Sequence, residues 1–168
     1  MKVQTTRFGT IDVKEGDVIT LAEGMLGFSE NIRFTLIPDE LGEPFQWMQS
    51  LDQPALAFVV IEPSRILTEY HFSVKRDQIK SLETENVDDL LVYVIVTMSG
   101  SVMEVTVNLQ GPIVVNKNNR VGQQIVLNDP KFSTRHPLFT DEPEDEGEWM
   151  EAVKKENKVA SSRVAISG

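Results

Sequence analysis

Apolar and polar residues alternate with a period of two through most of the chain, the pattern of strands with one buried face. "KVQTT" and "TIDVK" flank Arg7-Phe8-Gly9 and predict a hairpin with glycine in its turn. "DVITL" follows, then a glycine-punctuated loop, "AEGMLGFSEN". "IRFTLI" alternates and stops at Pro38, which has no N–H to give a central ladder. "PFQWMQS" starts after Pro44, and "VMEVTVNL", "PIVVN" and "QQIVLN" complete the alternating set. Two runs, "ALAFVVI" and "LLVYVIV", are nearly continuous in apolar character, which predicts central strands buried on both faces.

Helical periodicity is sparse. "SRILTEY" predicts one or two turns after Pro63, and "KRDQIKSL" a short surface helix with Ile79 and Leu82 on one face. In the tail, Trp149, Met150 and Val153 form a stripe after an acidic run, so "EGEWMEAVKKENK" reads as helical. "ASSRVAISG" is too small and polar to predict order. About ten short strands with one or two short helices make an all-β barrel or sandwich. The boundaries are a β domain over residues 1–139 and an acidic extension over 140–168.

Composition narrows the function classes. A chain of 168 residues buries a sizeable core in one domain. The absence of cysteine excludes disulfides, thiolate metal sites and cysteine nucleophiles. "MKVQTTRFGT" has no signal-peptide run, and the longest apolar stretch, residues 90–98, is far short of a membrane helix. A soluble, cytoplasmic protein with no membrane association is the expectation. The net charge of −10 argues against direct nucleic-acid binding, because phosphate backbones demand a basic face. Asp141, Glu142, Glu144, Asp145, Glu146, Glu148 and Glu151 concentrate acid in the tail, yet the body is acidic without them and suits a basic protein partner.

Reactive chemistry is thin. The two histidines, His71 and His136, lie far apart in sequence, and no serine sits in a nucleophile-elbow pattern. "DEPEDEGE" lacks the ligand spacing of a calcium loop, and "GMLGF" lacks the lysine of a phosphate loop. No catalytic residue, metal site or cofactor is expected. The segment "VTVNLQGPIVVNKNNRVGQQIVLND" is instead crowded with amides: Asn108, Gln110, Asn116, Asn118, Asn119, Gln123, Gln124 and Asn128. Two roles compete for them, bracing of turns whose unpaired groups would each cost about 1–3 kcal/mol, and a protein-binding edge. Candidate partner-binding residues are the aromatic and amphipathic ones near loops. They are Phe45 and Trp47, which share a strand face opposite Met48 and for which core packing is the favoured reading; Glu69, Tyr70, His71 and Phe72, where packing competes evenly with an interface; and Asn108 with Gln110.

"NLQGPIVVN", followed by "GQQIVLND" and "RHPL", resembles the flagellar assembly factor FliW family. "EGMLGFSENIRFTLI" is similar to that family's glycine-rich segment and the strand after it, and "FQWMQSLDQPALAFVVIEP" to its next motif. The likeness covers residues 1–139. It departs at Leu26, which stands where the family usually has proline, and in an acidic tail longer than the family norm. The resemblance implies a compact antiparallel β pseudo-barrel and a monomeric, non-enzymatic cytoplasmic regulator without a cofactor. It also implies two alternative partners, flagellin, held near its helical terminal region, and the RNA-binding translational regulator CsrA. An acidic body docked on CsrA would repel RNA only within the Debye length of about 8 Å. The rival class is a β-barrel enzyme or small-ligand binder, which would show a pocket of convergent polar groups rather than an apolar surface groove.

Overall fold

The computed structural model describes residues 1–40, 42, 44–65, 67, 70–98, 104–138 and 162–167; Glu69, the acidic run and the predicted tail helix lie outside the described residues. Strands β1 (Lys2–Thr5) and β2 (Gly9–Asp12) form the predicted N-terminal hairpin. Next come β3 (Ile19–Leu21), β4 (Arg33–Pro38), β5 (Gln46–Ser50) and β6 (Ala57–Ile61). Then follow β7 (Tyr70–Lys75), the one-turn helix α1 (Arg76–Ile79) and β8 (Leu90–Thr97). The rest are β9 (Thr106–Val107), β10 (Ile113–Asn116), β11 (Val121–Gln124), β12 (His136–Pro137) and β13 (Ser162–Ser167).

Seven of these strands close into a ring in the order β10-β11-β3-β4-β5-β6-β8, with β10 pairing back onto β8. Closure removes the exposed edges that an open sheet would present. The ring is antiparallel except at one seam, where β11 runs parallel to β3 through Val121↔Thr20 and Gly122↔Leu21. That seam is tight: a Cβ built on Gly122 would lie 2.9 Å from the Val114 carbonyl oxygen and 3.0 Å from the Leu21 Cδ2.

Alternation along the strands separates two cores. Ile19, Leu21, Phe34, Met48, Val60, Tyr93, Ile113 and Val115 fill the ring, none of them more than 3% exposed. Each large side chain buried there stabilises the fold by roughly 1.5–3 kcal/mol. Their chain neighbours Ile61, Val94 and Val114 point outward into a second cluster, which Val96 and Val107 join. That cluster is capped by Tyr70, Phe72 and Val74 of β7, by Ile79 and Leu82, and by Phe132 and Leu138. Successive residues Val60 and Ile61, like Tyr93 and Val94, therefore serve different cores. This explains the near-continuous apolar runs of β6 and β8, which lie side by side as the predicted central strands.

The amide segment organises the junction of the two cores. β9 and β10 both pair with the same edge of β8, at Val96–Thr97 and Leu90–Tyr93 respectively. The chain must leave that edge and return to it, and Asn108–Pro112 is the bend. Asn108 Oδ1 accepts from the Gln110 and Gly111 amides at 3.0 and 3.1 Å. Asn116 Nδ2 and Asn119 Nδ2 both donate to the Leu82 carbonyl, at 2.7 and 3.1 Å, tying the barrel to the turn after α1.

One local expectation holds in part and one is corrected. The turn predicted after Pro63 is present as a 3-10 turn, Pro63–Arg65, but Tyr70, at the end of "SRILTEY", already opens β7, because Tyr70, Phe72 and Val74 alternate into the outer cluster. Residues 162–167 are an ordered strand paired with β7, small and polar though they are, since the ladder supplies backbone hydrogen bonds and Val164 and Ile166 reach the outer cluster.

Candidate functional site

Most residues singled out in the sequence are placed in the interior or in turns. Phe45, Tyr70 and Phe72 belong to the outer core and present no ring at the surface. The Tyr70 hydroxyl donates to the Leu109 carbonyl at 2.6 Å, and burial pushes its pKa far above the ordinary phenol value. Asn108 shapes its own bend, and the Gln110 carbonyl accepts from the Leu127 amide at 2.8 Å. Two keep a surface. Trp47, on the face opposite Met48 as predicted, donates through Nε1 to Asp39 Oδ2 at 2.7 Å. Its ring lies 4.2 Å under the Arg7 guanidinium and edge-on to Phe8, so it fastens the N-terminal hairpin to the barrel. His71 is exposed on β7. These residues do not converge on one site.

A different feature concentrates surface hydrophobicity: the glycine-rich loop between β3 and β4. Leu26, Phe28 and Ile32 are 54, 40 and 38% exposed, and among the described residues no other loop holds three large exposed apolar side chains. Large apolar side chains gathered outward on one loop make it the candidate for an interaction surface. The loop is held from below. Met25, 1% exposed, drops into the ring and packs in the inner core. The Phe28 amide donates to the Met25 carbonyl at 2.7 Å, closing a tight turn, and the Gly24 amide donates to the Leu21 carbonyl at 2.8 Å.

Gly24 is required there. Its φ is +71°, and a Cβ would lie 2.5 Å from the Ser29 carbonyl oxygen. The buried Gln124 fixes the outer limb: its Oε1 accepts from the Leu26 amide at 2.9 Å while its Nε2 donates to the Gly111 carbonyl at 3.0 Å. One side chain thus joins the glycine loop to the "NLQGP" bend. Phe28 rests edge-on against Phe58, with ring centroids 5.5 Å apart.

The far end of the loop is charge-locked. Asp52 Oδ2 accepts from the Ile32 and Arg33 amides, both at 2.8 Å, and Oδ1 accepts from Arg33 Nε and Nη2 at 3.1 and 3.0 Å. Burial pushes the Asp52 carboxyl up, but the two backbone amides and the Arg33 guanidinium outweigh it and hold the pKa below the ordinary 3.8. The buried Asn31 accepts from the Ser50 hydroxyl at 2.7 Å and donates to Gln53 at 3.2 Å, bonding the loop to the β5–β6 turn. Glu23 and Glu30 are exposed beside the apolar residues.

The loop was recognisable in sequence as glycine-rich, but its exposed residues were missed. One signal was available: "MLGF" puts three large apolar residues where no strand periodicity calls for them. What the loop offers chemically is contact area with an acidic rim, presented on a fixed backbone. Among the described residues no group of three or more His, Asp or Glu side chains comes together to hold a metal. No described helix is long and apolar enough to cross a membrane.

The comparisons agree with this architecture. Residues 2–138 match the family described as FliW protein. A flagellar assembly factor FliW from Geotalea uraniireducens is 43% identical over 139 residues, covering 83% of this chain and 85% of that one. The corresponding protein of Magnetococcus marinus is 36% identical over 164 residues, covering 97% of this chain and all of its own length. A crystal structure of the flagellar assembly factor FliW superposes with a TM-score of 0.78 at 34% identity. It matches 84% of this chain, which already accounts for 99% of its own length.

Proposed function

The chain belongs to the FliW family of flagellar assembly factors, and we propose that it serves assembly by gripping flagellin in the cytoplasm through the Leu26–Ile32 loop. The single observation that carries the docking site is the outward display of Leu26, Phe28 and Ile32 on a loop anchored by Met25, Gln124 and Asp52. A fixed apolar surface takes up the apolar stripe of an amphipathic helix with little ordering cost, and the terminal regions of flagellin are helical in what the family resemblance implies. The filled ring supports a polypeptide-binding role over that of a small-ligand binder or enzyme, since Met25 and the inner core occupy the space a ligand would need.

The second partner in this reading is CsrA, bound by the monomeric chain as an alternative to flagellin. The net charge of −10 supports antagonism of RNA binding without direct contact with nucleic acid, because an acidic body beside the RNA path raises the cost of bringing phosphate near. Titration of purified flagellin and CsrA against the unmodified chain and against Phe28→Ala with Leu26→Ala tests the reading. Flagellin affinity falls at least ten-fold, about 1.4 kcal/mol, with the melting transition unchanged. Unchanged flagellin affinity in the double variant, or no binding of flagellin by the unmodified chain, overturns it.

A further inference from the structure

Strand β7 stands apart from the barrel ladder. Tyr70, Phe72 and Val74 enter the outer core, while His71, Ser73 and Lys75 face outward. Among the described residues its ladder partner is β13, parallel to it from Ser162↔Tyr70 to Ser167↔Lys75. β13 lies outside residues 2–138, the part that carries the family match. The seat is thus built by the domain and the occupant supplied by the extension. Val164 and Ile166 pack on the outer cluster, with Ala165 exposed between them.

Two properties mark β13 as a displaceable occupant. A parallel ladder is less stable per residue than an antiparallel one, and this strand adds only two apolar anchors to it. Beside the pair, a groove lined by His71, Lys75, Lys131 and the exposed Val126, and by Val164 and Ala165 of β13 itself, remains open. A strand edge with apolar seats alongside is the template used in recognition by strand addition.

We propose that the β7 edge is a docking site for an extended segment of a partner polypeptide, and that β13 is a built-in competitor filling it in the partner's absence. The ligand runs parallel to β7, carries β-branched apolar residues at two alternate positions, and has a small uncharged residue between them. The site uses different elements from the Leu26–Ile32 loop and is independent of the flagellin and CsrA reading, so failure of one leaves the other standing.

The test uses a fluorescent peptide of residues 160–168, "ASSRVAISG", added in trans to two full-length proteins. One is unmodified. The other carries Val164→Asp and Ile166→Asp, which deprive its own strand of apolar anchors. The released protein binds the peptide at least ten-fold tighter than the unmodified one, and a peptide with the same two aspartates does not bind. Equal binding to both proteins, no binding to the released one, or binding of the aspartate peptide overturns the proposal. A dimer of the unmodified chain that the peptide dissociates also overturns it, assigning the edge to a second copy. Should the double variant not fold, Ile166→Ser, which removes one anchor, is compared in the same way.

Discussion

Asp52 shows how one carboxylate governs a surface loop. Its folded pKa is depressed, so its contribution is present above the ordinary 3.8 and lost as pH falls through the lower folded value. Asp52→Asn should cost about 1–2 kcal/mol at neutral pH, toward the low end for charged hydrogen bonds because the Arg33 side chain is 50% exposed. Urea denaturation from pH 7 to pH 2 checks this: the gap between variant and parent closes with acid, and a constant gap contradicts it. Tyr70→Phe leaves the Leu109 carbonyl without its buried donor and should cost about 1–3 kcal/mol in the same assay. Sequence reading found the chemistry of such residues more readily than their partners. Asparagine in "NKNNRVG" declared itself as turn bracing through its local bonds, while the reach of Asn116 and Asn119 to Leu82 had no sequence signal. Gln124 did not declare its hold on Leu26, because the two are brought together only when β11 meets β3. Tyr70 and Phe72 stayed open between core and interface, since one strand's alternation cannot say which of its faces a core will cover; both are buried.

The same logic separates legible elements from hidden ones. β4, β5, β6 and β8 announced themselves by alternation or by continuous apolar runs, and they are consecutive antiparallel neighbours in the ring. β7 was obscured by the helical cast of "SRILTEY" before it, and β13 because the partner strand, not its own composition, gives it order. The parallel seam of β11 and β3 had no sequence signal, because closure rather than local pattern sets it. The seam depends on Gly122, so Gly122→Ala should cost about 1–3 kcal/mol through overpacking against Val114 and Leu21. Gly24→Ala acts on the loop instead: positive φ and the clash with Ser29 should raise amide exchange over residues 22–32 and weaken flagellin binding. Thermal melts with hydrogen exchange distinguish the two, the first variant lowering the melting temperature while the second chiefly loosens the loop.

At the scale of the whole molecule, a closed ring with two cores makes a stiff support, and the working parts are what it displays. The apolar loop lies at one place on that support, with Glu23 and Glu30 exposed beside it, and the β7 edge at another. Fold class and family were legible in the sequence because strand patterning and ordered motifs run through nearly the entire domain. The exposed apolar loop proposed for docking was not, because exposure of Leu26, Phe28 and Ile32 depends on Met25 having entered the ring. The most direct measurement is amide hydrogen exchange of the full-length chain with and without a molar excess of monomeric flagellin. The account predicts strong new protection over residues 22–32 with ring strands such as β8 unchanged. Binding that protects other surfaces and leaves that loop exchanging as before would contradict it.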